Sequence, residues 1–212
     1  RLRSHPPIES VPSFRDGLFY IQDPSTLLSV DLLDPKPSQA VLDLCAAPGG
    51  KTGLIAERMN NEGQLTATDT SDSRLGLLRE NCERLGVTCA ALGQAEAVLA
   101  DATPRFDQAL VDVPCSNTGV MRRRLDLRWR ITPEETRYLT DTQLRLLARA
   151  AGFVRPGGAL VYSTCSIEPE ENEQIVKRFL EENTGWQLEM ERTLHPVEDH
   201  TDGAYAARLT KD

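Results

Sequence analysis

The 212-residue sequence has no apolar run approaching the roughly 20 residues a membrane span requires, and no signal peptide. It has no C-x-x-C pair either. Its five cysteines, Cys45, Cys82, Cys89, Cys115 and Cys165, are odd in number, a pattern that fits a reducing cytosol rather than a secreted disulfide framework. Histidine is scarce: His5, His195 and His200 sit near the ends, away from any cysteine pair, so no zinc site and no other metal is expected. Positive charge is in the minority, with 24 Lys and Arg against 32 Asp and Glu and a net charge of −8. That balance argues against a generally adhesive nucleic-acid binder but leaves room for a local basic footprint. Repeats and low-complexity linkers are absent. A cytoplasmic, monomeric single domain is expected, large enough to need no disulfide or metal staple. The chain starts at Arg1 rather than Met, which suggests a processed or excised piece.

What is present is an alternation of short apolar runs and amphipathic stretches. The proline-rich first 13 residues should be mostly extended or irregular, and residues 17–22 read as a short strand. Residues 24–33 carry Thr26, Leu27, Val30 and Leu33 at helical spacing, and Pro35 and Pro37 stop that helix. Strands are expected at 40–44, 64–69, 87–92, 106–111 and 159–163, the last after the turn Pro156-Gly157-Gly158, with two weaker ones around 187–190 and 205–209. Helices are expected at 51–58, 74–85, 95–99, 133–151 and 169–183, with Pro133 suited to a first helical turn. Such alternation predicts an α/β fold, a parallel sheet with helices on both faces. Ligands bind such sheets beyond the carboxyl ends of the strands. Four polar or glycine-rich clusters fall there: the loop after Leu44, Asp69, the segment from Asp112, and residues 163–166.

The first cluster, VLDLCAAPGGKT at 41–52, imitates a phosphate-binding loop by ending in Gly-Lys-Thr. In that reading Lys51 would touch phosphates, Thr52 would hold magnesium, and Asp112 after FDQALV would be the second acid. Against it, Cys45 stands where a glycine is required, and Pro48 removes a backbone N–H from the nest. The competing reading is a cofactor with a ribose but no phosphate, such as S-adenosylmethionine. An acid about 20 residues after the glycine loop should then grip the ribose. Asp69 lies 19 residues after Gly50, although a turn or helix-cap role is also open to it. Pro114-Cys115 follows strand four and Thr164-Cys165 follows strand five, so neighbouring strands would bring both thiols over one pocket. A single buried cysteine is ordinarily inert; two at adjacent sheet ends beside an acid favour the methyl-donor reading.

Taken together, LDLCAAPGGKT, DVPCSNTG and STCS resemble the cofactor loop and two cysteine motifs of the Nol/Nop/Sun family of RNA cytosine-C5 methyltransferases. FYIQDPST, RLG at 84–86, EPEEN at 168–172 and DGAYAARL extend the likeness across nearly the whole chain from about Gly17. GVMRRRLDLRWR is similar to the Sun branch, which modifies small-subunit (16S) ribosomal RNA. The resemblance implies the class I S-adenosylmethionine-dependent methyltransferase (Rossmann-like) fold, seven strands with the last antiparallel. It implies residues 38–212 as the catalytic domain, residues 1–37 as a lead-in packed on it, and an upstream RNA-binding domain absent from this chain.

The same resemblance implies that Cys45, Ala46, Ala47, Pro48, Gly49, Gly50 and Lys51 line the methionine end of S-adenosylmethionine, that Asp69 takes the ribose, and that Asp112 contacts both cofactor and target base. The family usually has Gly-Asp after strand three. Here Gly93-Gln94 stands in its place, so Gln94 is expected on the adenine side, with Asp101 as the alternative. Cytosine C5 is a poor nucleophile, and a thiolate added at C6 turns the ring into an enamine reactive at C5. The resemblance implies Cys165 as that nucleophile and Cys115 as the thiol assisting release. Cysteine after proline attacks in DNA cytosine methyltransferases, so Cys115 stays an alternative. An acid near N3, Asp112, would stabilise the developing charge, and Lys51 could lower the attacking thiol's pKa. Arg122, Arg123, Arg124, Arg128 and Arg130, five arginines in the ten residues 121–130, are expected to hold RNA phosphates, with Trp129 stacking a base. The plainer alternative for this run is a solvated charged face.

Overall fold

The computed structural model describes residues 6–98, 100 and 103–212. In chain order the elements are α1 (Pro12–Arg15), α2 (Leu27–Leu33), β1 (Ala40–Asp43), α3 (Gly50–Arg58), β2 (Gln64–Asp69), α4 (Asp72–Arg84), β3 (Ala90–Gln94) and α5 (Ala95–Val98). They continue with β4 (Phe106–Asp112), α6 (Pro133–Phe153), β5 (Val154–Thr164), α7 (Glu173–Glu182), β6 (Trp186–Leu194) and β7 (Ala204–Lys211). The strands form one seven-stranded sheet in the order β3-β2-β1-β4-β5-β7-β6. β1 to β5 pair in parallel, and β7 inserts antiparallel between β5 and β6. The expected seven-stranded, mostly parallel class I architecture is therefore the observed one.

Both faces of the sheet's centre, β1, β4 and the second half of β5, are buried, which the period-two alternation of strand side chains achieves residue by residue. Leu42, Val111, Leu160 and Tyr162 point toward α6 and α7, where Leu147, Phe153, Val176 and Phe179 meet them. Their chain neighbours Val41, Leu110 and Val161 point the other way, toward Leu33 of α2, Ile55 of α3 and Met59 just after it. The Ala46, Ala47 and Ala67 side chains pack under Leu75 and Leu78 of α4, bringing that helix down on the loop after β1. Among the described residues no helix is long and apolar enough to cross a membrane, and no group of three or more His, Cys, Asp or Glu could hold a metal ion.

Three local expectations are corrected. Residues 17–22 form no strand; the segment crosses the end of α4 and the start of α3. There Arg84 donates to Phe14 O at 2.9 Å and Phe19 O at 3.1 Å, and the Tyr20 ring lies where a Cβ on Gly50 would be. Side chains, not a neighbouring strand, hold it in place. β3 starts at Ala90, three residues later than Val87, because Val87 N–H closes the α4 end on Cys82 O and the Thr88 N–H is taken by the Asn61 side chain. The helix expected over 169–183 is split into a 3-10 turn at Pro169–Glu171 and α7, because Asn172 has φ −111° and ψ −108°. Smaller differences lie at element ends, chiefly β5, which begins at Val154 and absorbs Pro156 and both glycines with a register shift against β4.

Candidate active site

β1, β2, β4 and β5 all end at the same edge of the sheet, and their last residues and following loops enclose one cleft. It has a volume of about 610 Å³, and Cys45, Ala47, Asp69, Asp112, Cys115 and Cys165 line it. The loop after β1 is tied on every side. Ala46 N–H donates to Thr68 O at 2.9 Å, Gly49 N–H to Ala46 O at 2.8 Å, and Ala47 N–H reaches Asp69 Oδ2 at 3.3 Å. The Ala47–Pro48 peptide is cis, and the Pro48 and Ala47 carbonyls accept from Asn81 and Arg74 at 2.9 and 2.8 Å. Gly49, at φ +107°, caps α3 in a conformation that a side chain rarely adopts. The amides of residues 46, 47 and 49 are thus engaged within the protein, and Pro48 has none. A phosphate nest needs those donors free and converging. Thr52, which a nucleotide-bound magnesium would require, is fully buried and donates to Asp43 Oδ2 at 2.7 Å. The loop is built for a neutral or zwitterionic ligand rather than for phosphates.

Asp69, at the end of β2, accepts from the N–H groups of Thr70 and Ser71 at 2.9 and 3.2 Å, and Arg74 approaches its other oxygen at 3.3 Å. It holds the turn into α4 and also lines the cleft, so the two readings of this residue are compatible. Asp112, at the end of β4, receives Lys51 Nζ at 2.8 Å on Oδ2 and the Ser163 hydroxyl at 2.6 Å on Oδ1. Burial alone would depress the Lys51 ammonium, but Asp112, with Asp43 behind it, outweighs burial and holds its pKa above the usual lysine value. Burial, with Asp112, Asp43 and Asp69 around it, pushes Cys45 up to about 12, which leaves it an unreactive thiol in the wall.

The two remaining cysteines face each other. Cys115 Sγ and Cys165 Sγ lie 3.3 Å apart. The Cys165 thiol donates to Asn117 Oδ1 at 3.0 Å, while Asn117 Nδ2 donates to Cys115 O at 2.7 Å. Asn117 thereby spans both cysteines from a left-handed conformation at φ 62°. Cys115 is buried, and its hydrogen bond to Cys165, then burial, raise its pKa well above the ordinary thiol range. Cys165 is the more accessible of the two. Asn117 was missed in the sequence; Asn before Thr-Gly is a left-handed turn signal, but nothing in it points to a thiol.

Gln94 ends β3, yet it does not line the cleft; its amide donates to Asp72 Oδ1 at 2.5 Å. The cleft wall on that side is Ala95 and Glu96, with Arg149 of α6 bonded to both. Asp101, the other expected adenine contact, lies outside the described residues.

The arginine run divides. Arg122 and Arg123 both bridge Asp23 and Asp202, two buried carboxylates: Arg122 reaches Asp23 at 2.9 Å and Asp202 at 2.5 Å, and Arg123 pairs with Asp23 and approaches Asp202 at 3.2 Å. Burial works to raise the Asp23 carboxyl, but the Asp202 and Ser25 donors and Arg123 outweigh it and hold it below the ordinary value. Neither a solvated face nor a free phosphate clamp describes these two; they fasten the lead-in to the loop before β7. Arg124 and Arg130 share Asp126 at 3.3 and 3.5 Å, while Arg128 and Trp129, the latter 89% exposed, face outward. Changing Arg122 and Arg123 together to alanine is expected to lower the melting temperature, because two buried carboxylates lose their partners. Changing Arg128 and Arg130 should leave the melt in place. An unaltered melt for the first pair would remove the fastening role.

A family model described as 16S rRNA methyltransferase RsmB/F matches residues 30–210. The chain is 37% identical over 223 residues to a probable ribosomal RNA small subunit methyltransferase B of Synechocystis, covering 96% of this chain and 50% of the relative. It is 43% identical over 173 residues to ribosomal RNA small subunit methyltransferase F of Escherichia coli strain SE11, covering 80% of this chain and 36% of that one. The chain thus spans about half the length, or less, of the curated relatives it matches. Among solved structures, NSun6 from Pyrococcus horikoshii with SFG superposes with a TM-score of 0.88 at 32% identity, over 98% of this chain and 56% of that one.

Proposed function

From the premise that the chain belongs to the 16S rRNA methyltransferase RsmB/F family, we propose that it methylates carbon 5 of cytosine in 16S ribosomal RNA, using S-adenosylmethionine and a transient covalent bond between Cys165 and carbon 6 of the base. The observation that carries this reading is the pair of thiols 3.3 Å apart in the cleft that is also lined by Asp112, the carboxylate that pairs with Lys51. Residues 38–212 are the catalytic unit in this reading, residues 1–37 its lead-in, and the cytoplasm, where ribosomal RNA is made, its place of action.

The cleft suits the cofactor by its chemistry. SFG, bound by the NSun6 relative, is an analogue of S-adenosylmethionine. Asp69 offers carboxylate oxygen to ribose hydroxyls, Cys45 and Ala47 supply the wall from the loop after β1, where the amides of residues 46, 47 and 49 are already engaged, and Glu96 supplies an acceptor on the side where Gln94 was expected. Bound there, S-adenosylmethionine would supply an electrophilic methyl group.

The protein's own residues do the rest. The Cys165 sulfur adds to carbon 6, and the C5–C6 electron pair moves toward the ring nitrogen and carbonyl. Lys51, protonated and with hydrogens to spare beyond its bond to Asp112, sits next to Cys165 and provides the positive charge that the developing anion needs. Asp112, already accepting from Lys51 and Ser163, is held as an acceptor and fits the exocyclic amino group of cytosine. Once carbon 5 is methylated, loss of its proton to a base lets the C6–S bond break, and the electron pair returns to Cys165. Cys115 stands beside the sulfur that must leave. A base must be unstacked to reach such a cleft, and Arg128, Trp129 and Arg130 offer phosphate and stacking contacts nearby in the chain.

The test is transfer of labelled methyl groups from S-adenosylmethionine to 16S ribosomal RNA, with digestion to nucleosides. Label in 5-methylcytosine is expected; label only in another nucleoside would overturn the cytosine assignment. In parallel, S-adenosylmethionine and not magnesium-ATP should raise the melting temperature.

A further inference from the structure

Beneath the two cysteines lies a carboxylate with no ion-pair partner among the described residues. Glu171 is fully buried. Its Oε1 accepts the backbone N–H of Ser116 and the side-chain amide of Gln143, each at 2.9 Å, and its Oε2 accepts the Ser116 hydroxyl in a short bond. Gln143 also donates to Pro114 O at 3.0 Å. One side of Glu171 is thus fastened to the segment Pro114-Cys115-Ser116.

The other side is fastened to the second cysteine. The Tyr162 hydroxyl donates to the Glu171 carbonyl at 2.6 Å. Asn172, at the break between the 3-10 turn and α7, donates to Ser166 O at 3.0 Å and accepts from Thr164 Oγ1 at 2.6 Å. These are the residues on either side of Cys165. The Ser116 and Ser166 hydroxyls, each one position beyond a cysteine, close the bridge at 3.3 Å. An unpaired buried carboxylate is costly, and it is tolerated here because several donors converge on it. The helix break at Asn172 has the same origin: a continuous helix over 169–183 could not turn consecutive side chains toward both loops.

We propose that Glu171, braced by Asn172, is the positioning residue that sets the separation of Cys115 and Cys165. It touches neither substrate nor cofactor; it acts through Ser116 and the turn after β5. Its charge has a second consequence, adding to the Cys165 hydrogen bond and the burial that keep Cys115 a neutral thiol. Its catalytic importance rests on the covalent reading given above, but the separation of the thiols does not.

Three variants test it: Glu171→Ala, Glu171→Gln and Ser116→Ala. Glutamine keeps an oxygen for Ser116 N–H and Gln143 and can donate to Ser116 Oγ, so it preserves the brace without the charge. Two quantities are read beside the melt shift given by S-adenosylmethionine. One is kcat for methyl transfer to 16S ribosomal RNA. The other is the equilibrium between the Cys115–Cys165 dithiol and its disulfide against oxidised and reduced glutathione, in which the two thiols lose two protons and two electrons to oxidised glutathione. Glu171→Ala should lower kcat by about tenfold or more and lower the thiols' effective concentration by a similar factor, with the cofactor melt shift intact. Glu171→Gln should restore both to within about threefold of wild type. If Glu171→Ala does not fold, Ser116→Ala decides, with the same direction and a smaller effect. A wild-type thiol equilibrium in Glu171→Ala, or in Ser116→Ala as its substitute, overturns the proposal. So does Glu171→Gln failing as completely as Glu171→Ala in both readouts. A shifted thiol equilibrium with no 5-methylcytosine formed even by wild type would place the failure on the reaction and not on the brace.

Discussion

Cys165→Ser is expected to abolish methyl transfer, by about 10⁴-fold or more, while S-adenosylmethionine still raises the melting temperature. Cys115→Ala is expected to do something different: accumulate a protein–RNA complex that survives denaturing electrophoresis. The asymmetry follows from the environments of the two sulfurs. Cys115 is 7% exposed, and its hydrogen bond to Cys165 and its burial push its thiol well above the ordinary range. A group held that firmly in its protonated form is a poor attacking nucleophile, since the thiolate is the reactive species. Cys165 is more accessible, lies beside the Lys51 ammonium, and has its S–H oriented by Asn117 at 3.0 Å. Serine at position 165 keeps the shape but replaces a thiolate with a hydroxyl of far higher pKa. At 3.3 Å from Cys165, Cys115 is near enough to influence departure of the Cys165 sulfur, so its removal should stall the reaction after methyl transfer. Should Cys115→Ala merely lose activity while Cys165→Ala traps the complex, the two roles are exchanged.

The sequence carried the frame of this site but not its fastenings. Asp69, Asp112, Cys115 and Cys165 could be brought to one sheet edge from the strand–helix alternation alone, because in a parallel sheet strand ends converge by topology. The pairing of Arg122 and Arg123 was hidden for the opposite reason. Their partners, Asp23 and Asp202, lie 99 and 80 positions from Arg122, and neither acid differs in sequence from a surface one. Charge density along the chain reports a basic run; only tertiary contact shows that part of it is neutralised. Residues 17–22 failed for a related reason: their short apolar and aromatic run reads as a strand, but a strand needs a free edge, and α3, α4 and Arg84 occupy the space. Glu171 was equally illegible. Within EPEEN it reads as one acid among several on a solvated helix start, and only its burial separates it from Glu168 and Glu170.

Asp112→Asn should be the second severe lesion, lowering kcat by about 10²- to 10³-fold, a loss comparable with removing a preorganised donor from an active site. The side chain keeps its size and can still accept from Ser163, but the carboxylate 2.8 Å from Lys51 is gone. In the wild type burial pulls the Lys51 pKa down and Asp112 more than restores it, so the ammonium is fully charged throughout the physiological range. The linkage sign is that of a cation with a raised pKa: its stabilising contribution is complete below the ordinary lysine value and is lost only as pH rises through the higher folded value. Without Asp112 burial is opposed only by the weaker influences of Asp43 and Cys165, so the Lys51 pKa should fall and residual activity should disappear at a lower pH than in the wild type. A pH–rate profile of the variant therefore separates loss of the ion pair from loss of the acceptor. If the profile keeps its alkaline limb in the wild-type position, Asp112 acts on the base directly and not through Lys51. The double variant with Lys51→Met makes the same distinction independently. Residues working as one unit give a combined loss well short of the product of the single losses, and independent roles would multiply.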